Sequence, residues 1–130
     1  MQSRSIGNPG LSISEIGFGC GGNAGLMLRG SPQEQQQIIA RALELGITYF
    51  DNAPDYGDGL AETNLGDVIK ALSVRPLLNS KVEIRQRNFP DIAGHVVRSC
   101  EESMRGLGVD YLDVFQIHNG PAATDPKIEG

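Results

Sequence analysis

Four polar residue types along the chain could together move a proton onto an oxygen atom: an aspartate, a tyrosine, a lysine and a histidine, at Asp51, Tyr56, Lys81 and His118. A phenol has an ordinary pKa near ~10 and is a poor proton donor at neutral pH. A neighbouring ammonium favours the phenolate and lowers that pKa, while a carboxylate supplies the counter-charge that a partly buried ammonium needs. An imidazole beside the phenol can hydrogen-bond a carbonyl oxygen and orient it. Such a set is suited to protonating an oxygen while a hydride reaches the adjacent carbon.

Strands are predicted to deliver these four side chains to one edge of a sheet. Asp51 ends a short apolar run, and Tyr56 follows it in a loop rich in Pro and Gly. Lys81 lies inside an apolar-flanked run, and His118 ends another. In parallel α/β folds the carboxyl ends of the strands share one rim, which is where ligands bind. Taken singly, each residue has a structural explanation, but their joint occurrence at strand ends favours a functional origin.

Strong helix signals separate the predicted strands. Ser31 is a predicted N-cap, Pro32 occupies the first helical position and Glu34 completes a capping box. Gly46 is expected to close that helix, and Asp91 to cap the last one. The predicted strands are residues 16–20, 47–51, 76–84 and 109–118, and the predicted helices are residues 32–45, 60–72 and 92–107. Their predicted inward faces are Ile38, Ile39, Ala42 and Leu45, then Leu65, Val68, Ile69 and Leu72, then Ile92, Val96, Val97, Cys100, Met104 and Leu107.

The glycine-rich segments have separate predicted roles. A turn signal at residues 7–10 predicts an N-terminal β-hairpin over residues 4–14. After the next strand, Gly21, Gly22 and Asn23 open a loop where backbone can approach a ligand closely. Residues 119–130 are rich in Gly, Pro, Ala and Asp and are predicted to be loop.

Alternation of strands and helices with short connections predicts an α/β fold with a parallel sheet and helices packed outside it. The preceding hairpin and the regular βα units favour a (β/α)8 TIM-type barrel over a doubly wound sheet. Residues 17–22 fit the G-x-G-x-x-G spacing formally, but they lie within a strand, so the dinucleotide-fold alternative is the weaker one.

The amino-acid composition and net charge limit the classes of partner that the chain is expected to bind. The chain has 130 residues and a net charge of −5, which suits one cored domain and argues against nucleic acid or an anionic membrane as a partner. Two distant cysteines, Cys20 and Cys100, are best explained as buried free thiols. No leader pattern and no apolar run of about 18 residues occur, which predicts a cytoplasmic protein. No metal-ligand spacing emerges. His95 is predicted to be exposed and idle, and Asp110 and Asp113, which flank a strand, are predicted to be structural.

The same residues resemble a known family. Residues 46–57, continuing through residues 61–66, resemble the fingerprint of the aldo-keto reductases. Residues 79–82, around the lysine, and residues 110–118, ending on the histidine, resemble that family's third and fourth strands. The resemblance implies that the residues matching its catalytic tetrad are Asp51, Tyr56, Lys81 and His118.

By that resemblance Tyr56 is the general acid/base, Lys81 and Asp51 tune it, and His118 orients a substrate carbonyl. It further implies NADP(H) as hydride carrier, with NAD(H) as an alternative, and a cofactor-binding set of Gly21, Gly22 and Asp51. The implied reaction interconverts an aldehyde or ketone, in the manner of an aldose or pyridoxal, and an alcohol. The partner is then a small-molecule carbonyl or alcohol.

The length of the chain predicts that only part of such a barrel is present. A complete (β/α)8 barrel needs about 250 residues. Residues 1–130 are therefore expected to be the N-terminal half of an aldo-keto reductase-like barrel, with about the first four βα units. Two alternatives stay open: a catalytically inactive half-barrel that associates with itself or a partner through exposed sheet edges, and a non-enzymatic regulatory subunit of the same fold.

Overall fold

The computed structural model describes residues 1–7, 10–22 and 24–120 of the chain. The middle of the turn predicted at residues 7–10, the loop residue Asn23 and most of the loop predicted at residues 119–130 lie outside the described residues. The elements follow in chain order: strands β1 (Ser3–Ile6), β2 (Leu11–Ser14) and β3 (Phe18–Gly19), helix α1 (Pro32–Glu44), β4 (Tyr49–Asp51), α2 (Leu60–Leu72), β5 (Leu77–Val82), a 3-10 turn (Gln86–Asp91), α3 (Ile92–Leu107) and β6 (Val114–Ile117).

The N-terminal hairpin is confirmed, and it sits at the end of the sheet away from the predicted chemistry. β1 and β2 pair antiparallel, with Ser3 opposite Ser14 and Ile6 opposite Leu11. Ser14 and Thr48 exchange two hydrogen bonds, from Ser14 N to Thr48 Oγ1 at 3.1 Å and from Thr48 N to Ser14 Oγ at 3.0 Å. Because Thr48 precedes β4, the hairpin is attached at the amino ends of the parallel strands.

The remaining four strands form one parallel sheet in the order β3-β4-β5-β6, the order of the sequence. Each connection carries a helix, and α2 packs against both α1 and α3. Crossovers between parallel strands are almost always right-handed, so strands added in sequence place all their helices on one side. A doubly wound sheet instead reverses its strand order at a switch point. The arrangement is that of a barrel wall, with helices outside.

Local capping explains where the helices begin and end. In α1, Ser31 Oγ accepts from Glu34 N at 3.3 Å and Glu34 Oε2 accepts from Ser31 N at 2.7 Å, the predicted capping box. Asp91 caps α3 by accepting from Gly94 N at 2.9 Å. The bounds of α2 match those predicted from its apolar face.

Side chains alternate across the strands, so each strand has one face toward the helices and one toward the barrel interior. On the helix side Phe18 and Phe50 stack with ring centroids 5.2 Å apart. In β5, Ser80 also points to the helices, where its Oγ donates to Glu62 Oε1 at 2.7 Å and lies 3.1 Å from Ser103 Oγ. All three polar side chains are buried. Lys81, the next residue, therefore faces the opposite side.

Several boundaries and faces differ from prediction. β3 and β6 are shorter than the strands predicted at residues 16–20 and 109–118. β6 starts late because Asp113 turns the chain onto β5: its N donates to Leu78 O at 3.0 Å and its Oδ2 accepts from Leu78 N at 2.8 Å. Leu45 is 51% exposed because α1 has already ended, and Val97 is 56% exposed on the outer side of α3. Ile92, at the start of α3, is 41% exposed. These three residues were wrongly placed in the core.

Two further observations concern His95 and the helices. His95, predicted to be exposed and idle, is half-buried, with Nε2 2.9 Å from the backbone oxygen of Glu83. Among the described residues no helix is both long and apolar enough to cross a bilayer.

Candidate active site

The ammonium of Lys81 is the centre of the polar cluster at the carboxyl ends of the strands. Its Nζ donates to Tyr56 Oη at 3.0 Å, to Asp51 Oδ2 at 3.1 Å and to the backbone oxygen of Asn52 at 2.9 Å. Lys81 is only 7% exposed. An ammonium has three donors, so three acceptors satisfy it fully. The lysine thereby fixes the phenol and the carboxylate on either side of itself.

Strand register brings the aspartate and the lysine together. Asp51 pairs with Asn79 across β4 and β5, and Lys81 is two residues further along the same face. The amide Nδ2 of Asn79 donates to Asp51 Oδ1, which orients the carboxylate toward Lys81. Adjacent parallel strands thus place a cation next to an anion that is still about one-third exposed. Solvent therefore reaches the ion pair mainly from the Asp51 side.

The loop between β4 and α2 places the phenol. Tyr56 N donates to Ala53 O at 3.2 Å, and Ala61 N donates to Tyr56 O at 3.2 Å, so the tyrosine backbone is bonded on both sides. Three successive residues after Tyr56 have left-handed backbone, with φ of +63° at Gly57, +52° at Asp58 and +87° at Gly59. This is a conformation that glycine and aspartate tolerate best. It turns the chain sharply back into α2 and leaves the ring beside Lys81.

Gly21 gives the tyrosine ring its space. A Cβ at Gly21 would lie 2.6 Å from Tyr56 Cε2 and 2.8 Å from Cζ, well inside van der Waals contact. At Gly22 a Cβ would meet nothing within 4 Å. The first glycine is thus required by the ring, while the second borders open space.

His118 is the fourth member. Its N donates to Val82 O at 2.8 Å, which continues the β5–β6 pairing one residue past the strand. The ring meets Tyr56 edge to face, with centroids 5.8 Å apart and planes at 80°. Its Nδ1 lies 3.3 Å from Asp55 Oδ1. All four predicted catalytic residues therefore lie in one cluster.

A pocket of about 450 Å³ adjoins two members of this cluster, and it is lined by Gly19, Gly21, Gly22, Ala24, Asp51 and Tyr56. The three predicted cofactor-binding residues are all in that lining. Its volume falls in the range of small-molecule sites, roughly 300–1,000 Å³. The backbone surface at Gly19 and Gly22 has no side chain to obstruct a flat ring. A larger hollow of about 580 Å³, lined by Gly66, Arg75 and Gly106 among others, lies where α2 and α3 end, away from the four polar residues.

Cys20, which lies between the pocket residues Gly19 and Gly21 in sequence, is part of the buried hydrophobic core. Its N donates to Asp51 O at 2.9 Å, and its side chain is fully buried. Burial, together with the negative charge of Asp51, raises the pKa of the Cys20 thiol to about 12, against a small opposing effect of Lys81. The thiol is therefore neutral at physiological pH and is not a nucleophile.

Three contributors were missed by reasoning from sequence: Asn79, the Asn52 carbonyl and Asp55. Asn79 could have been found, since it is two residues before Lys81 and so shares its face of β5. A backbone carbonyl carries no sequence signal, and the approach of Asp55 to His118 depends on the loop conformation. Asn79 Oδ1 and Asn52 Nδ2 are buried and, within the described residues, lack hydrogen-bond partners. Such groups cost about 1–3 kcal/mol each.

The chain matches a family model described as "Aldo/keto reductase family" over residues 15–129. It is 31% identical over 122 residues to L-galactose dehydrogenase of Arabidopsis thaliana, covering 92% of this chain and 38% of that protein. A probable voltage-gated potassium channel subunit beta of the same plant is 31% identical over 133 residues, covering 95% of this chain and 39% of that protein. The chain thus spans less than half of these relatives.

Solved structures give the same result. The aldo-keto reductase AKR11C1 from Bacillus halodurans, in its holo form, superposes with a TM-score of 0.74 at 31% identity, covering 98% of this chain and 43% of that one. A Klebsiella pneumoniae aldo-keto reductase in complex with NADPH superposes with a TM-score of 0.67 at 32% identity, covering 93% of this chain and 41% of that one. Together with the parallel sheet in sequential order, these matches confirm the predicted fold class, a part of a TIM-type barrel.

Proposed function

Because this chain belongs to the aldo/keto reductase family, we propose that its polar cluster interconverts a small-molecule carbonyl and an alcohol with NADP(H), and that Tyr56 is the general acid/base. The observation that carries the proposal is the 3.0 Å hydrogen bond from Lys81 Nζ to Tyr56 Oη. In that arrangement the phenol can give up its proton to a bound oxygen while the ammonium stabilises the phenolate left behind.

In the reducing direction, Tyr56 Oη donates its proton to the carbonyl oxygen while the carbonyl carbon gains a hydride. NADPH, when bound, supplies that hydride. Lys81 remains charged throughout, and Asp51 balances its charge so that the pocket gains no net positive charge. In the oxidising direction the phenolate accepts the proton of the alcohol. The role of His118 is to hydrogen-bond the substrate oxygen and orient it toward Tyr56.

The nicotinamide end of the cofactor would be held over the glycine surface of the pocket. Gly22 presents backbone to open space, Gly21 lies against the Tyr56 ring, and Asp51 is the charged group at the edge of the pocket. This residue set fits a flat ring placed next to the phenol, which is the geometry that a proton transfer coupled to hydride transfer requires. We place the activity in the cytoplasm, acting on aldehydes, ketones or the corresponding alcohols of aldose or pyridoxal type.

A second candidate function is a non-enzymatic subunit or an inactive half-barrel that binds a partner. One relative is described as a probable potassium channel subunit beta. Val97 and Ile117, on α3 and β6, also expose large apolar side chains, which association could cover. The intact set of four polar residues favours the enzymatic candidate, since a binding subunit has no need of a buried ammonium bonded to a phenol.

Tyr56→Phe tests the proposal. The variant removes one hydroxyl and keeps the ring, so we expect NADPH affinity, measured by fluorescence quenching, to change less than about twofold while turnover falls by about 10²–10⁴. Tyr111→Phe removes a hydroxyl at the other end of the sheet and is the matched control, with turnover unchanged. Retained turnover in Tyr56→Phe would refute the assigned role. A protein that neither quenches NADPH fluorescence nor turns over would support the second candidate.

A further inference from the structure

We propose that Asp55 is a positioning residue for His118: its carboxylate holds a proton on Nδ1, so that Nε2 can donate to a substrate oxygen only when the ring is cationic. The inference rests on the proposed function for its catalytic meaning, and on geometry for its physical basis. Asp55 Oδ1 lies 3.3 Å from His118 Nδ1, a distance that makes an ion pair when the ring is protonated. Asp55 also directly precedes Tyr56, so a single loop carries both the proposed acid and the group that faces the histidine.

The position of the ring is restrained by several contacts. His118 N is bonded to Val82 O at 2.8 Å. The side chain of the next residue, Asn119, accepts from Ile84 N at 2.9 Å and donates to Ile84 O at 2.8 Å. With the Tyr56 ring edge-on at 80°, the imidazole has one nitrogen facing Asp55. The other, Nε2, has no hydrogen-bond partner among the described residues and is the one available to a substrate.

The chemistry of the two nitrogens sets the consequence. A neutral imidazole has one N–H, and an ionised carboxylate can only accept a hydrogen bond. A carboxylate facing Nδ1 therefore favours the tautomer with the proton on Nδ1, which leaves Nε2 as an acceptor. A carbonyl oxygen needs a donor, so His118 can serve it through Nε2 only when both nitrogens are protonated. An imidazolium also stabilises a developing oxyanion better than a neutral N–H.

Other charges around the ring modify this effect without replacing it. Asp55 and Tyr56 face it from the loop after β4, and Lys81 lies behind Tyr56 on β5. Glu83 follows β5 and is near enough for His118 to contribute to lowering its pKa, although its bond with Arg85 is the main cause. Asp55 is the carboxylate in contact with His118 and is 59% exposed. Its influence should therefore be moderate and should weaken with added salt.

The test is the tautomer of His118 in the ¹⁵N-labelled chain, read from long-range ¹H–¹⁵N correlations of the imidazole rings. The chain has two histidines, so His118→Gln assigns the signals. At a pH where the ring is neutral, we expect Nδ1–H in the wild type. Asp55→Asn should move the population toward Nε2–H, because an amide can donate as well as accept. Asp58→Asn removes a charge from the same loop and keeps a residue that tolerates left-handed backbone, so it is the matched control and should leave the tautomer unchanged.

A kinetic arm connects the tautomer to turnover. At a pH where His118 is neutral, Asp55→Asn should raise kcat for carbonyl reduction by about two- to fivefold at low ionic strength, because the Nε2–H tautomer can donate to the carbonyl oxygen without a second proton. The difference should shrink as salt is added, and cofactor affinity should be unchanged. A wild-type ring in the Nε2–H form, or equal tautomer changes in Asp55→Asn and Asp58→Asn, would overturn the inference. So would a lower kcat in Asp55→Asn at that pH, whatever its tautomer. Since the tautomer is measured without turnover, failure of the proposed reductase activity would leave that result standing, and the two failures are distinguishable.

Discussion

Gly21→Ala should separate the position of the catalytic phenol from its chemistry. The added Cβ would lie 2.6 Å from Tyr56 Cε2, whereas carbon atoms pack at about 3.5–4.0 Å. The ring or the loop must therefore move by about 1 Å. Gly21 has no positive φ, so alanine introduces no backbone strain of its own and the effect is purely one of space. The displaced ring takes Oη away from Lys81 Nζ, to which it is bonded at 3.0 Å.

The expected size follows from that displacement. A misplacement of about 1 Å in a reacting group can cost about 10² in rate. Overpacking of this kind costs about 1–3 kcal/mol of the free energy of unfolding. We therefore expect about a 10²-fold loss of kcat for NADPH-dependent carbonyl reduction, together with a lower urea midpoint. The assay is NADPH consumption by absorbance, paired with urea unfolding followed by circular dichroism.

Gly22→Ala is the matched control, because its Cβ would enter open space. We expect its free energy of unfolding, measured with urea, to stay within about 0.5 kcal/mol of the wild-type value. Any effect of Gly22→Ala on turnover should come through weaker cofactor binding, since it borders the pocket without touching the ring. Equal kcat values in Gly21→Ala and wild type, at saturating cofactor, would refute the reasoning that this glycine positions Tyr56.

Two further predictions concern Lys81 and Cys20. Lys81→Met should lower kcat at least about 10²-fold, because Tyr56 loses its hydrogen-bond donor. It should also lower the free energy of unfolding by about 1–3 kcal/mol, which is less than for a fully buried ion pair because Asp51 is 35% exposed. Unchanged urea unfolding would contradict the second expectation. The pKa of the Cys20 thiol is about 12 in the folded chain, against an ordinary value of 9.0. Its contribution to the free energy of unfolding is therefore complete below about pH 9 and is lost as the pH rises toward 12. Between about pH 9 and pH 10 the free energy of unfolding, measured with urea, should fall by about 1 kcal/mol. In Cys20→Ala this fall should be absent. A wild-type pH profile as flat as that of the variant would show that the buried thiol is not its cause.

Local patterns predicted the placement of Asp51 and Lys81 because strand alternation and register are short-range rules. Once two neighbouring parallel strands are recognised, residues on the same face at their carboxyl ends must meet. The capping box at Ser31 and the bounds of α2 were predictable for the same reason. The catalytic roles of these residues stay predictions until the variants above are measured.

What could not be predicted depends on contacts between segments far apart in sequence. β6 starts at Val114 because Asp113 uses its carboxylate on Leu78, a partner 35 residues away. The exposure of Val97 depends on what packs against α3, which periodicity alone does not reveal. Gly21 was read as a place for ligand to approach, and its contact with the Tyr56 ring required the loop conformation. Asp55 was invisible for the same reason.

The Glu62, Ser80 and Ser103 cluster has a consequence for fidelity during folding. Ser80 and Lys81 are adjacent, so a slip of β5 by one residue would exchange their faces and send the ammonium among the helices. Such a slip would also strand the Glu62 carboxylate, which is 3% exposed, without its hydroxyl partner. The polar contacts between Ser80 and the helices therefore help to fix the register of β5. We expect that even the loss of the Ser103 hydroxyl, which does not touch the pocket, would weaken that register.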